Sequence, residues 1–326
     1  MKRAVIEISL LLMIVATASL IPGRAQLAGA PQQQPPGSGA PPLNPLKVAL
    51  LKWYQANLTT SFKVGDNPYG LAFDGANMWV SNNGDNTVTK LRANDGASLG
   101  TFNVGGAPMG VAFDGANIWV VNSSPNTVSK LRASDGANLG EFAVGLAPSF
   151  AAFDGEAIWV TNTQSTSVTK LRASDGKVLG TFPDYGGPID IICDGTYMWV
   201  TNFDGTVTRF KLNGNQAGTF RVARAGLLTL AFDGANIWVP EGGYVTKLRA
   251  SDGKVLAMYN VGADGSGIAF DGVNLWLTAG PYIVEMRLSD GAVLLTKRLN
   301  QSLQNLAFDG ANVWVAGWGA DSAFKL

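Results

Sequence analysis

The chain has 326 residues, 24 basic and 24 acidic side chains, one cysteine and no histidine. A net charge of zero favours neither nucleic acid nor an acidic membrane surface as a partner. A single cysteine excludes a disulfide framework within the chain. The lack of histidine excludes Ser-His-Asp triads and removes the commonest metal ligand.

The first 25 residues are typical of a secretory signal peptide. Lys2 and Arg3 supply the positive start, and the apolar stretch at 8–21 follows them. Fourteen residues are short for a membrane span, which favours a cleaved signal over a retained anchor. These features predict a secreted or periplasmic protein, with a cell-surface location as the alternative.

Two further segments precede the main domain. Residues 26–43 are rich in Pro, Gln and Gly, which predicts a disordered linker. Residues 44–57 predict a short helix, because Asn44 is a good N-cap and Pro45 suits the first helical position. Two roles remain open for this helix, namely packing on the side of the main domain and acting as a lid or docking segment.

Residues 58–326 contain one unit repeated seven times. The FDG aromatic marks each copy, with Cys193 in its place in the fourth copy, and the steps between markers are 40, 40, 40, 39, 38 and 38 residues. The marker positions are Phe73, Phe113, Phe153, Cys193, Phe232, Phe270 and Phe308. A fixed period of this length predicts a repeat architecture.

Each copy contains four short extended segments, here called strands A to D. In the second copy they are predicted at Gly110–Phe113, Ile118–Asn122, Thr127–Arg132 and Asn138–Val144. The Asp-Gly sequences between them supply the positive φ that tight hairpins need. Each copy is therefore predicted to be a small antiparallel meander.

Strand B reads Ile-Trp-Val or Met-Trp-Val in most copies, so consecutive residues are apolar and both faces of the meander must be covered. Meanders stacked around an axis cover both faces and make a β-propeller. The strand B tryptophans are assigned to packing between blades. They are Trp79, Trp119, Trp159, Trp199, Trp238, Trp276 and Trp314.

The sequence PYGLAFDGANMWVSNNGDNTVTKL at 68–91 and its sister copies resembles the YVTN and NHL propeller repeats, within the virginiamycin B lyase-like propeller superfamily. The resemblance implies that strand A of each copy lines the central axis. It is specific for the fold and weak for function. The lyases of that superfamily rely on histidine, which this chain lacks, so the resemblance does not imply the same reaction.

The two ends of the repeat region complement each other. Residues 58–65 match a strand D, and residues 322–326 match a strand C with no strand D after it. We therefore expect residues 59–64 to complete the blade that begins at Leu306, which closes the ring and hides two sheet edges. The prediction is an all-β, seven-bladed propeller with four antiparallel strands in each blade.

The A–B and C–D turns, FDGAN and ASDG, define a uniform face. Their aspartates are expected to bond their own backbone rather than form a cation-binding ring. The lysine and arginine of the KLR sequence in strand C are expected to lay their aliphatic stems on the outer strands. The B–C and D–A turns define a variable face, because their sequences differ between copies. Irregular loops on a uniform frame are where propellers carry sites.

The candidate ligand-binding residues lie on the variable face. Three of them, Asp190, Thr229 and Asn305, depart from the glycine or apolar residue that starts strand A in other copies. The other four candidates are Tyr69, Asp204, Glu241 and Trp318. The alternative is ordinary loop polarity around a water-filled channel. Asp190 with Glu241 is the carboxylate pair that would suit acid/base work or a hard cation.

The preferred function is a non-catalytic binding module that presents its variable face to a protein, glycan or small molecule. One alternative is a carboxylate- or metal-dependent lyase or hydrolase at the mouth of the central channel. A structural cell-surface protein is the other. The sequence identifies no cofactor or metal, and it predicts a monomer with no nucleic-acid partner.

Overall fold

The computed structural model describes residues 60–222, 229–262 and 265–326. Every regular element in these ranges is a β-strand. The predicted signal peptide, linker and helix at 1–57 lie outside the described residues. Among the residues that are described, none forms a helix long and apolar enough to cross a membrane.

In the described ranges, twenty-eight strands form seven four-stranded antiparallel sheets, the blades. Blade 1 contains β2 (Pro68–Phe73), β3 (Asn77–Asn82), β4 (Thr87–Arg92) and β5 (Ser98–Asn103). Blade 2 contains β6 (Pro108–Phe113), β7 (Asn117–Asn122), β8 (Thr127–Arg132) and β9 (Asn138–Ala143). Blade 3 contains β10 (Pro148–Phe153), β11 (Ala157–Asn162), β12 (Ser167–Arg172) and β13 (Val178–Pro183). Blade 4 contains β14 (Pro188–Cys193), β15 (Tyr197–Asn202), β16 (Thr206–Lys211) and β17 (Gln216–Arg221).

The remaining blades follow the same plan. Blade 5 contains β18 (Ala231–Phe232), β19 (Asn236–Glu241), β20 (Tyr244–Arg249) and β21 (Val255–Asn260). Blade 6 contains β22 (Gly267–Phe270), β23 (Asn274–Ala279), β24 (Tyr282–Arg287) and β25 (Val293–Arg298). Blade 7 contains β26 (Ser302–Phe308), β27 (Val313–Trp318), β28 (Ser322–Lys325) and β1 (Ser61–Lys63). The seven-bladed, all-β prediction is confirmed.

The ring closes between the two ends of the repeat region, as the sequence predicts. Strand β1 lies antiparallel to β28, with Phe62 opposite Ala323. The Val64 amide donates to the Asp321 carbonyl at 2.9 Å, just beyond the paired residues. Because β1 supplies the fourth strand of blade 7, each of the seven blades in the described part of the chain has four strands.

Strand B is buried on both faces because each side contacts a different blade. In β7, Ile118 and Val120 pack toward blade 1, in one cluster with Trp79. Trp119 points the other way and packs with Ile158 of blade 3. Six of the seven strand B tryptophans are fully buried, and only Trp276 is partly so. At about 200 Å² per ring, each buried tryptophan contributes at most ~5 kcal/mol.

The strand C lysines differ from their expected position on the outer strands. Lys90 is 6% exposed and lies over the Trp79 ring, with its ammonium 5.1 Å from the ring centre. Its Nζ donates to the Ala133 carbonyl of blade 2 at 2.6 Å. Lys325 makes the same contact across the ring closure, donating to Ala93 of blade 1 at 3.0 Å. These lysines therefore connect neighbouring blades, because the carbonyls of the next C–D turn need a donor.

Candidate functional site

A cavity of about 210 Å³ lies on the propeller axis. Every one of the seven blades contributes to its lining, through strand A or the residues that immediately precede that strand. The lining residues are Gly70, Leu71, Val111, Phe150, Ala151, Asp190, Ile192, Thr229, Leu230, Ile268, Asn305 and Leu306. The expectation that strand A lines the axis therefore holds.

Hydroxyl groups on strand B hold the inner strands of neighbouring blades together around this cavity. Thr161 of blade 3 donates to the Ile189 carbonyl of blade 4 at 2.6 Å. In blade 4, the Asp190 amide donates to Thr201 Oγ1 at 3.1 Å. The backbone that carries Asp190 is therefore fixed from both sides.

Asp190 is the buried carboxylate of the axial cavity, with 8% of its surface exposed. Its Oδ1 accepts from the Ile191 amide at 2.8 Å. Its Oδ2 accepts from Thr229 Oγ1 at 2.9 Å and from the Leu230 amide at 3.2 Å. Burial raises the pKa of Asp190 to about 6, although these hydrogen bonds oppose the shift. Asp190 thus connects blades 4 and 5 and titrates near neutral pH.

Two more candidates lie beside Asp190, and two lie next to the cavity wall. Thr229 and Asn305 line the cavity with it. Tyr69 and Trp318 meet edge to face, with ring centres 6.0 Å apart, and Tyr69 is equally far from Phe150, a lining residue. Burial and the Asp190 charge both raise the pKa of the Tyr69 phenol. Five of the seven candidates therefore lie at or beside one site.

The other two candidates, Asp204 in a B–C turn and Glu241 at the end of a strand B, do not belong to the described lining of the cavity. Asp204 Oδ1 accepts from the Thr206 amide at 2.9 Å and from its hydroxyl at 2.6 Å, so it closes its own turn. Glu241 ends β19, in register with Tyr244. The described lining thus holds one carboxylate, from Asp190, rather than a pair with Glu241.

A second buried carboxylate, Asp184, has no counterpart among the sequence-based candidates. It lies at the end of strand D of blade 3, where five of the other six copies carry valine, as at Val104 and Val144. Thr208 Oγ1 donates to its Oδ1 at 3.2 Å, and the Asn202 amide, turned with its nitrogen toward it, donates to Oδ2 at 3.2 Å. Burial raises the pKa of Asp184 to about 6. The signal that could have revealed it is the valine-to-aspartate change within the repeat.

The aspartates of the uniform face behave in the opposite way. Asp114 Oδ1 accepts from the Ala116 and Asn117 amides at 2.9 and 2.6 Å, which is the turn role expected of it. Its Oδ2 also accepts from the Trp119 indole at 2.8 Å, and the same bond recurs in all seven copies. Burial acts to raise the pKa of Asp114, but the hydrogen bonds prevail and leave it below its usual value.

No metal or thiol chemistry emerges from the described residues. In the ranges that the structure covers, no group of three or more acidic or cysteine side chains could hold a metal ion. Cys193 is partly buried, and burial raises the pKa of its thiol. Its Sγ accepts from the Gly195 amide at 3.3 Å. The thiol is therefore protonated at neutral pH, as suits a small packing residue.

Larger grooves than the axial cavity open on the uniform face. One of about 770 Å³ lies between blades 4 and 5, and another of about 540 Å³ lies between blades 7 and 1. Their linings consist mainly of the repeated A–B and C–D turn residues. Because the same residues recur around the ring, these grooves follow from the repeat and do not distinguish one blade from another.

Comparison of the sequence with protein-family models and with curated proteins gives no match. Comparison of the structure with solved structures gives many matches. Hydrazine synthase of Kuenenia stuttgartiensis aligns with a TM-score of 0.70 and 17% identity over 81% of this chain and 96% of that chain. A streptogramin B lyase gives a TM-score of 0.70 and 19% identity, over 81% and 95% of the two chains. The Pan2 WD40 domain of Neurospora crassa gives a TM-score of 0.70 and 10% identity, over 82% of this chain and 94% of that chain.

The likeness is one of fold. It confirms, at that level, the resemblance to propellers of the YVTN/NHL type. In all, 1502 chains of solved structures match, and the three above have unrelated names, so the fold leaves the activity open.

Proposed function

We propose that this protein is a non-catalytic binding module that takes a small ligand in the axial cavity, at the centre of the variable face. The observation that carries the proposal is Asp190, a buried carboxylate at a position where blades 1, 2 and 6 have glycine. No basic side chain pairs with it among the described residues. A buried charge without an opposite charge costs stability, and the three hydrogen bonds that Asp190 accepts offset only part of this cost, because its pKa stays raised.

The other lining residues indicate the kind of ligand. Asp190, Thr229 and Asn305 are polar, whereas Leu71, Val111, Ile192, Ile268 and other lining residues are apolar. A ligand with a positive or hydrogen-bond-donating head and an apolar body would satisfy both parts. The volume of about 210 Å³ equals that of about seven waters at 30 Å³ each, so the ligand is small. An alkyl amine meets all three requirements.

We assign the variable loops to partner or ligand selection, because the D–A turns lead directly into the strand A residues that line this cavity. Their sequences differ from copy to copy, while the frame beneath them repeats. The proposal includes a secreted or periplasmic location, which rests on the predicted signal peptide at 1–25.

A second candidate function is a lyase or hydrolase at the same site. Two observations favour it. The streptogramin B lyase shares the fold, and a carboxyl group with a pKa of about 6 suits proton transfer near neutral pH. Against it stand the absence of histidine and the lack of a second carboxylate in the described lining. Binding therefore remains the preferred function.

The test is a thermal-shift titration of the full chain with butylamine, glucose and Ca²⁺ at pH 5 and pH 8. Butylamine should raise the Tm at pH 8, where Asp190 is ionised, and less at pH 5. At a concentration of 100 Kd, a ligand stabilises by about 2.7 kcal/mol. The Asp190→Asn variant should lose the shift.

Asp204→Asn is the matched control, because Asp204 lies in the same blade but outside the described lining, and it should keep the shift. An amine effect that survives Asp190→Asn would disprove the site. Mass spectrometry of the incubated ligand separates the two functions, because only the second changes the ligand's mass or yields products.

A further inference from the structure

A second cavity, of about 580 Å³, opens between blades 2 and 3 near the variable face; we call it the side cleft. Its volume falls within the usual range for ligand sites, about 300–1,000 Å³. Strand D of blade 2 forms one wall, and strands C and D of blade 3 form the other. The lining residues are Ala143, Val144, Gly145, Ser165, Thr166, Ser167, Thr169, Val178, Thr181, Pro183 and Tyr185.

The described lining of the side cleft carries hydroxyl groups and no charge. Five of its residues are serine or threonine, the sixth hydroxyl belongs to Tyr185, and no acidic or basic residue takes part. The corresponding place in blade 2 differs, because Glu141 stands where blade 3 has Thr181, and its carboxylate accepts from Thr127. The side cleft is therefore suited to a neutral, polar ligand.

Tyr185 is a highly exposed aromatic residue in the turn that follows blade 3. It follows the end of strand D at a position where four other copies carry glycine, as at Gly105 and Gly145. In three of those copies a side chain would meet the strand B asparagine; a Cβ on Gly105, for example, would lie 2.6 Å from Asn122. In blade 4, Gly186 takes the place against Asn202 instead. The chain thereby turns Tyr185 outward, where 85% of its surface is exposed.

Thr166, on the rim of the side cleft, has a strained backbone. Its φ is 45°, in the left-handed region, where a β-branched residue is rare. The first two copies have asparagine there, at φ 60°, and Asn126 Oδ1 accepts from the Ala147 amide of the next turn at 2.8 Å. Thr166 gives up that bond, and its hydroxyl has no partner among the described residues. Strain of this kind collects at binding sites.

We infer that the side cleft is a binding site for a neutral carbohydrate. A sugar ring presents an apolar face that stacks on an exposed aromatic side chain such as Tyr185. Its hydroxyls both donate and accept, as the serine and threonine hydroxyls of the cleft do. An uncharged lining favours it over a phosphate, a carboxylate or a metal ion. The site shares no described lining residue with the axial cavity, so it goes beyond the proposed function and does not depend on it.

The experiment is isothermal titration of the full chain with cellohexaose, maltohexaose and chitohexaose, each a neutral oligosaccharide, and with hexagalacturonate as a charged comparison. At least one neutral oligosaccharide should bind, and more tightly than hexagalacturonate. Tyr185→Gly should weaken that binding about tenfold, because it removes the stacking surface. Tyr185→Phe keeps the ring and should bind within about twofold of the unmodified chain.

Two further variants, Thr166→Asn and Asp190→Asn, distinguish binding in the side cleft from an effect on folding and from binding in the axial cavity. Thr166→Asn and Tyr185→Gly both introduce residues that other copies carry, so both should fold. Thr166→Asn should weaken binding while leaving the Tm unchanged or raised. Asp190→Asn should leave sugar binding unchanged. The inference is overturned if none of the three neutral oligosaccharides binds, if hexagalacturonate binds best, or if Tyr185→Gly binds as tightly as the unmodified chain.

Discussion

The aspartates of the uniform face share a side chain with two buried aspartates, Asp184 at the end of blade 3 and Asp190 in blade 4, but the two groups have opposite roles. Asp114, like its six counterparts, closes a turn and holds a tryptophan, and its pKa is lowered. Asp184 and Asp190 each occur once in the repeat, lie buried, and have pKa values raised to about 6. In their ionised form, Asp114 and its counterparts stabilise the fold. Asp184 and Asp190, which each occur in one copy only, destabilise the fold when they are ionised. Comparison between copies of one chain thus separates scaffold residues from candidate functional ones.

The largest effect should come from a repeated tryptophan. Trp119→Ala removes a fully buried ring between blades 2 and 3 and should lower the free energy of unfolding by about 4 kcal/mol. Trp318→Ala, at a non-repeated and partly exposed tryptophan, should cost about 1–2 kcal/mol. Urea denaturation followed by circular dichroism measures both. Equal costs would remove the distinction between repeated and singular positions.

Asp184→Val should stabilise the protein at neutral pH, because it restores the residue found in most other copies. The folded pKa of about 6 exceeds the unfolded value of 3.8, so the contribution of Asp184 to stability is present below pH 3.8 and lost as the pH rises through 6. The free energy of unfolding of the variant, relative to that of the unmodified chain, should therefore increase by about 3 kcal/mol between pH 3.5 and pH 7.5. Unfolding free energies at several pH values test this. An advantage that does not change with pH would show that Asp184 is not desolvated.

Asp114→Ala should destabilise the protein at neutral pH, in contrast to Asp184→Val. It leaves the Trp119 indole and two backbone amides without their acceptor, which should cost about 2 kcal/mol at pH 7. The folded pKa is lowered, so the stability that Asp114 contributes is present above its unfolded pKa and disappears as the pH falls through the folded one. The cost should therefore shrink in acid. Asp135→Ala is the control, at an exposed C–D turn aspartate, and should cost less.

Lys325 offers a smaller test of the frame, at the ring closure. Lys325→Met keeps most of the aliphatic stem but removes the donor to the Ala93 and Asn94 carbonyls of blade 1. Loss of this contact should cost about 1 kcal/mol. Lys297→Met, on the exposed outer strand of blade 6, should be nearly neutral. Thermal melts of the two variants make the comparison, and identical melting temperatures would mean that the closure contact contributes nothing.

The fold could be predicted because the repeat itself carries the information. The Ile-Trp-Val strand requires cover on both faces, and residues 58–65 and 322–326 are recognisable fragments of one unit. Contacts between blades could not be predicted in the same way. Lys90 was expected on the outer surface but reaches the carbonyl of Ala133, 43 residues away. The Asp114–Trp119 bond was missed because the turn role alone explains the aspartate.

The site was predictable only in part, for a related reason. Asp190, Thr229 and Asn305 occupy one repeat position, so the symmetry of the ring brings them together. Asp204 lies in a B–C turn and Glu241 lies next to one. The length of these turns differs between copies, so position in the sequence does not determine distance from the axis. Asp184 was missed because it replaces a valine outside strand A, which was the position compared for departures from the repeat.

The most direct test of the account is a titration of the aspartate carboxyl carbons by NMR in the full chain. We expect Asp190 to titrate near pH 6, because its carboxyl group is desolvated in the axial cavity. Asp114 should titrate below 3.8 in the same sample. An Asp190 that titrates at or below 3.8, together with Asp114, would contradict the account, since the axial acid would then be as well satisfied as the structural ones.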